Sequence, residues 1–520
     1  SGAMGVALTT GTDNVAIGEN ALDAVTSGSR NTSVGDNALG AVTTGENNTG
    51  VGFQALLLTT TGASNVAVGS YALDANVANE NVAVGHQALT SNTTGASNVA
   101  IGKDALDTNT SGGSNIAIGL DALDANTTAS DNVAVGRSSM AANTTGTQNT
   151  ALGGYSLDAN TTANDNTAIG YAAMGANTEG ASNVAVGKDA LDTNTTGSSN
   201  IAIGMDALDA NTTASHNIGV GRSSLAVNTT GTFNIAVGSY ALDASNGDNN
   251  IAIGYNALTA NTTGATNTAV GSQTLLAATT ASNNTALGYY ALAANIDGGS
   301  NIAIGSYALD SNTTASYNVA VGQQALTANT TGANNVAVGH QALDANTTGG
   351  DNVAVGRDAL GANTTATGNT AVGRTALVSN TTGTVNVAVG AAALDAATTA
   401  SSNVAVGQNA LTTVTTGAQN TAVGQGALYA NTADDNVAVG INAAVSNTSG
   451  VDNTAIGAWA LDANTTGTDN TAVGDNALGA VTTAGYNTAV GSSALLLNTA
   501  GNNTAVGNQA MAANTTGNVN

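Results

Sequence analysis

Asp107 and Asp124, and again Asp192 and Asp209, stand 17 residues apart in the chain. That spacing would rank carboxylates into a ladder able to hold calcium, a hard cation that takes carboxylate and carbonyl oxygens. Twelve aspartates share this register, but the same place in 18 other copies of the underlying repeat holds Gly, Ala, Thr, Leu, Tyr or Val. An ion in every copy is therefore not required, and the Gly-Gly-x-Gly-x-Asp nonapeptide of calcium β-rolls does not occur. A solvated acidic face accounts for the row without a metal; calcium is the alternative, and no other cofactor is expected. The three histidines are His86, His216 and His340. His86 and His340 share a register but lie 15 copies apart, so they cannot share a metal within one chain, although a symmetric trimer could gather each into a ring. No histidine recurs near a serine or carboxylate, so neither nucleophilic nor acid–base catalysis has an apparatus, and the chain is expected not to be an enzyme.

Larger side chains concentrate in one strip. Tyr71, Tyr155, Tyr240, Tyr289, Tyr290, Tyr307 and Trp459 lie there, as do Lys103, Arg137, Lys188, Arg222, Arg357 and Arg374. A variable strip on an otherwise uniform scaffold is where contact specificity with a surface or a second subunit would reside. The recurrent Asn-Thr-Thr matches the N-glycosylation acceptor. Ranked threonines also suggest an ice-binding solenoid, but adjacent threonines in a strand would point to opposite sides.

The elements that must position these residues follow from the period. The 520-residue chain contains 66 Gly, no Pro, no Cys and 3% aromatics. It aligns throughout on Asn-x-Ala-(Val/Ile/Leu)-Gly. From Asn14 to Asn520 the leading Asn recurs at 30 intervals, 26 of 17 residues and four of 16, the short ones beginning at Asn65, Asn234, Asn420 and Asn487. Residues are numbered here 1 to 17 within each copy, with Asn98 to Ser114 as the example. Residues 1–4 read as a cloning scar, 5–13 as the end of a preceding repeat, 14–519 as one uninterrupted array and 520 as the start of another copy. An array that starts and stops in this way predicts a piece of a longer protein.

Positions 2 and 4 are β-branched or Leu around a small position 3, as in Val99, Ala100 and Ile101, which predicts a short strand with its larger side chains on one face. Position 5 is Gly in all 30 copies, among them Gly18, Gly102 and Gly204; a backbone angle or close approach that excludes a Cβ is implied. Position 9 is Leu in 26 copies, such as Leu106 and Leu208. Positions 5, 8, 9, 11 and 12 share one arc at 100° per residue, so the spacing predicts a helical turn over positions 6–11 with the position-9 leucine inward. A second strand is the alternative, which would make each coil a two-stranded parallel β-roll. One copy cannot bury its apolar groups at positions 2, 4 and 9, but stacked copies can. The expected fold is a solenoid of 30 coils, each with one parallel strand and one helical turn. Stacking also predicts an amide ladder of leading asparagines, such as Asn98 and Asn200 with their neighbours.

Composition narrows the function. With 7 Lys+Arg against 33 Asp+Glu, the net charge is -26. That balance excludes phosphate-neutralising recognition of nucleic acid and attraction to an anionic membrane. No run approaches the 18 apolar residues of a spanning helix, so no membrane insertion is expected of this segment. Absence of Cys removes disulfides and thiol chemistry.

The unit Asn335 to Gly349, whose first half recurs at Asn267 to Gly271, resembles repeat arrays of bacterial surface fibres and phage tail-fibre-like proteins. Its Asn-Val-Ala-Ile-Gly form at Asn98 to Gly102 is similar to the head repeat of YadA-like trimeric autotransporter adhesins. The period here is longer, and Ala105-Leu106 replaces the second alternating strand of that pattern. The resemblance implies a left-handed parallel β-roll, assembly as a trimer, an extracellular, cell-surface or virion-surface location, and a host or prey cell surface, glycan or matrix as partner. The functional expectation is a non-catalytic fibre or adhesin segment that acts as a rigid spacer and contact surface. The alternative is a solenoid that binds ice or polysaccharide through its Asn and Thr rows.

Overall fold

A computed structural model describes residues 10–517, so residues 1–4, the first part of 5–13 and Asn520 lie outside the described residues. The fold is a parallel β-solenoid with one three-residue strand per coil. Its residues divide into two compact units, which meet in sequence at Thr263 and Gly264. The first carries strands β1 (Val15–Ile17) to β15 (Ile251–Ile253), the second β16 (Thr268–Val270) to β30 (Thr504–Val506). Within each unit every strand pairs with the next in exact repeat register. Val99, Ala100 and Ile101 face Ile116, Ala117 and Ile118, for example. Across the short copy at Asn65 the register steps by 16, Val66 pairing with Val82.

Backbone pairing does not stop at the strand. In the coil Asn98 to Ser114, the N–H groups of Val99, Leu106, Thr108 and Thr110 donate to the following coil, to Asn115 O, Ala122 O, Asp124 O and Thr127 O at 2.8–3.2 Å. Those of Gly102, Asp104 and Ser114 donate to the preceding coil, to Val84 O, His86 O and Ala96 O at 2.8–3.0 Å. The ladder therefore runs around the whole coil.

This ladder is why the expected helical turn is absent: among the described residues there is no helix. Parallel pairing sets coils about 4.8 Å apart, whereas a helix with its side chains is about 10 Å thick. Positions 5–12 instead form two consecutive tight turns. In one coil Ala308 N–H donates to Gly305 O and Asn312 N–H to Leu309 O, both at 3.2 Å. Two turns in tandem bring positions 8, 9 and 12 inside at nearly the spacing of a helix, which is how the pattern imitates one. Nor is there a second strand in the coil. The turns require left-handed backbone at positions 7 and 9, as at Tyr307 (φ 59°) and Leu309 (φ 51°). For a leucine that conformation costs about 1–2 kcal/mol and persists because the ladder on both sides over-determines it.

The core also differs from expectation at the strand. Ala100 is fully buried while Val99 and Ile101 face outward, so positions 2 and 4 are not core positions. The inner face is already occupied. At Gly50, where position 3 lacks a side chain, a Cβ would sit 3.2 Å from Leu39 Cγ, and at Gly219 3.4 Å from Leu208 Cγ. Only a methyl or, at Ser33, a hydroxymethyl fits opposite the leucine row, so the β-branched pair must point out. Leu106 and Leu208 are fully buried, stacked with the alanines of positions 3 and 8.

Two amide ladders complete the interior. Asn115 donates its backbone N–H (2.9 Å) and Nδ2 (3.2 Å) to Asn98 Oδ1. Asn98 Nδ2 reaches across its own coil to Gly112 O at 2.9 Å. The second row, at position 12, is the Asn of the recurrent Asn-Thr-Thr. Asn109 Nδ2 donates to Asn92 Oδ1 (2.8 Å) and to the same Gly112 O (2.9 Å). One carbonyl thus accepts both amides and fastens the turn to the strand. In the short copies the lost residue falls between position 12 and that carbonyl, and the fastening moves to Ala78 O for Asn65 and Asn76.

Gly18 and Gly204 both adopt φ 135°, and a Cβ on either would lie 2.5 Å from the carbonyl oxygen of the equivalent glycine one coil on, Gly35 or Gly221. Gly102 is built the same way against Gly119. Gly204→Ala is therefore expected to break pairing locally, seen as fast amide exchange in the coils from Asn200 to Gly231. Leu208→Ala is expected to cost about 2–5 kcal/mol. Asn200→Ala strands the Asn217 N–H, which its Oδ1 now accepts at 3.0 Å, and leaves the Ala214 carbonyl with Asn211 Nδ2 alone; it is expected to cost about 1–3 kcal/mol for the unpaired buried group. Urea denaturation checks both.

Candidate functional site

Side chains reach the surface in rows, among them the variable strip at positions 6 and 7, the acidic row at position 10, and the outer sheet face at positions 2 and 4. Position 6 projects outward, whereas the left-handed position 7 lies half-buried. Stacking then brings positions 6 and 7 of adjacent coils together. Tyr71 packs edge-on against Phe53 at 5.4 Å and His86 at 6.1 Å between ring centroids. Tyr155 meets Tyr171 at 5.8 Å, and the Arg137 guanidinium lies over the Tyr155 ring at 5.6 Å. Arg222 covers Tyr240 in the same manner at 5.7 Å. Tyr290 and Tyr307 stack at 5.6 Å with 10° between their planes, and Tyr289 stands edge-on to both at 4.5 and 5.6 Å. Trp459, by contrast, stands exposed on the strip.

The acidic row is half-buried rather than fully solvated. Asp107 is pushed above the usual carboxylate range first by burial and then by the charge of Asp104. Burial, followed by Asp107, Asp121 and Asp104, does the same to Asp124. The second pair repeats this arrangement: burial and then Asp189 raise Asp192, while burial, Asp192 and Asp206 raise Asp209. Lys103 and Lys188 relieve these pairs only slightly, since each is bonded to its neighbour at position 7, Asp104 or Asp189. Among the described residues no group of three or more His, Cys, Asp or Glu side chains could hold a metal. The stacked aspartates form pairs, not the six- to eight-oxygen cage calcium takes.

The Asn-Thr-Thr stretch is mostly used up by the scaffold. Its Asn is the buried position-12 ladder, so the glycosylation acceptor faces inward. Its first Thr bonds the next coil, as Thr93 Oγ1 does to Thr110 O at 2.8 Å. The second Thr is exposed, as Thr94 is, and in some copies, Thr93 among them, so is the first.

Two surface features escaped sequence reasoning. Position 4 is Val, Ile or Leu in every copy, and these side chains line an uncovered sheet face: Ile101 is 38% exposed and Leu152 47%. Because ladder neighbours already cover both flanks of each side chain, such values mean that the whole outward end is bare. An invariantly small position 3 between them was the available signal. The second feature is a set of rings at position 17, where His216 and Phe233 stack at 4.9 Å with 5° between planes. These residues share nothing in sequence but their register.

The raised aspartates fix a sign for pH dependence. Their carboxyls bind protons more tightly folded than at the ordinary value of 3.8, so their contribution to stability is full below that value and is lost as pH rises through the folded range. Acidification from neutral pH is therefore expected to raise the thermal midpoint. Asp107→Asn with Asp124→Asn should raise it at neutral pH and flatten the dependence; scanning calorimetry across pH checks both. Compared with protein-family models and with curated proteins, the chain matches none.

Proposed function

We propose that this chain is a non-catalytic surface-fibre segment that serves as a rigid spacer and contact surface on the outside of a bacterium or virion. In this reading the chain assembles with copies of itself through the faces built by positions 2 and 4. The observation that carries the proposal is that unpartnered aliphatic face. Within one 15-strand unit it runs roughly 65 Å at the parallel strand spacing, a continuous row of aliphatic side chains of the kind that marks an interaction surface. Position 4 keeps the face aliphatic in every coil, while position 2 is Thr in 12 of the 30 copies, and the in-register repeat lets a second copy meet it with matching spacing. Three copies around an axis, as the repeat's resemblance implies, would bury it from all sides. The variable strip at positions 6 and 7 would then remain outward for contact with a cell surface, glycan or matrix. Support for the spacer role comes from the continuous ladder, which leaves no hinge within a unit's coils.

Light scattering is expected to give three chain masses per particle. Val186→Lys together with Ile203→Lys should lower that mass while circular dichroism stays unchanged, since both side chains point away from the core. A monomeric particle would overturn the assembly. Binding to glycan- and matrix-coated surfaces, reduced several-fold by Tyr155→Ala with Tyr240→Ala, tests the contact role. Thermal hysteresis without such binding would favour the ice-binding alternative.

A further inference from the structure

Position 10 varies in size, and where a small residue falls between two larger ones the surface opens into a notch. Leu276, Ala293 and Asp310 occupy position 10 of three consecutive coils, and a cleft of about 450 Å³ lies over Ala293. The half-buried rings of Tyr290 and Tyr307 form one side of it, and Ser311 borders it next to Asp310. The same build recurs in the other unit, where Gly40 lies between Asp23 and Leu57 beneath Asn20 and Asn37 and leaves about 500 Å³. The two notches share this build, and the residues at position 7 decide what each can hold.

The chain itself indicates what suits tyrosine at position 7. Arg137 over Tyr155 and Arg222 over Tyr240 each place a position-6 cation from one coil on the position-7 ring of the next. The residues in the corresponding places below Tyr290 and Tyr307 are Ser272 and Tyr289, so these rings receive no cation from the chain. No Lys or Arg occurs anywhere between Arg222 and Arg357. The notch therefore combines tyrosine rings, an apolar floor and one carboxylate in a region without positive charge. A cation beside aromatic rings and a carboxylate is attracted by both, the more so where water is partly excluded.

We propose that the notch bounded by Tyr290, Tyr307 and Asp310 binds an alkylammonium group, which meets these tyrosines from the position-10 side, their position-6 side being held by Ser272 and Tyr289. The surrounding negative charge draws such a group in, its alkyl part rests on Ala293 and Leu276, and Asp310 neutralises it. The inference does not depend on the fibre reading or on assembly through the sheet face.

Isothermal titration of the full chain with choline and with n-butylammonium tests it, the two probes distinguishing quaternary from primary ammonium sources. The expected result is saturable binding of at least one probe, with 3,3-dimethylbutanol, the uncharged counterpart of choline, not binding. Asp310→Asn should weaken binding roughly tenfold and Tyr307→Ala more, while Tyr307→Phe stays within about twofold because the ring face is retained. Asp395→Asn, a position-10 change elsewhere, should leave binding unaltered. Equal binding of the neutral alcohol, binding of methyl glucoside in place of either ammonium, or indifference to Asp310→Asn with unchanged circular dichroism would each overturn the proposal.

Discussion

Backbone hydrogen bonding between coils is the constraint from which the rest of this structure follows. Strands paired in parallel set a repeat distance of about 4.8 Å, and every other part of the coil conforms to it. The bonds from Leu106, Thr108 and Thr110 to one neighbour, and from Gly102, Asp104 and Ser114 to the other, carry the same spacing through the turns. Nothing thicker than one chain fits in that layer. Left-handed backbone at a leucine, unfavourable in isolation, becomes the geometry that lets the turn's N–H groups reach their partners above and below.

A layer this thin has room for very little inside. One leucine, two alanines and two amides fill the cross-section, so apolar burial per coil is small and buried polar groups have to be satisfied completely. The asparagine rows do this by joining side chains to backbone within a coil and between coils at once. Asn98 Oδ1 accepts from Asn115 while Asn98 Nδ2 holds Gly112 O, to which Asn109 is also bonded. Because each buried amide answers to the coil before and the coil after, stability belongs to the stack rather than to any single repeat.

The same thinness turns the chain's chemistry outward. Bulky strand residues that a thicker solenoid would bury are displaced to the outer sheet face, and the variable residues at positions 6, 7 and 10 line up in rows on the turns. Stacking makes neighbours of residues 16 or 17 apart, so each row acts as a surface whose local chemistry is the sequence of one repeat position read coil by coil. Aromatic pairs, capped tyrosines, aspartate pairs and notches are all products of that reading. They differ only in which side chains happen to fall in adjacent copies.

The period, the strand at positions 2–4, the invariant glycine and the inward leucine were legible in the sequence, because a repeat that stacks in register places equal demands on every copy. Residues such as Gly18, Leu106 and Asn98 stand where any stacked arrangement would need a missing Cβ, a buried apolar group and a satisfied amide. Which face of the strand turned inward was not legible. Val99 and Ile101 share a face by the strand's period of two, but whether that face is core depends on whether the Leu row leaves space opposite Ala100, a question of three-dimensional volume. The turns at positions 5–12 were likewise undecided, since tandem turns and a helix bury nearly the same positions. Coil spacing excluded the helix, and that spacing exists only once the strands have paired. Nor could composition reveal the half-burial of Asp107 and Asp124 or the gathering of Tyr290, Tyr307 and Asp310, because these depend on what stands beside each residue one coil away.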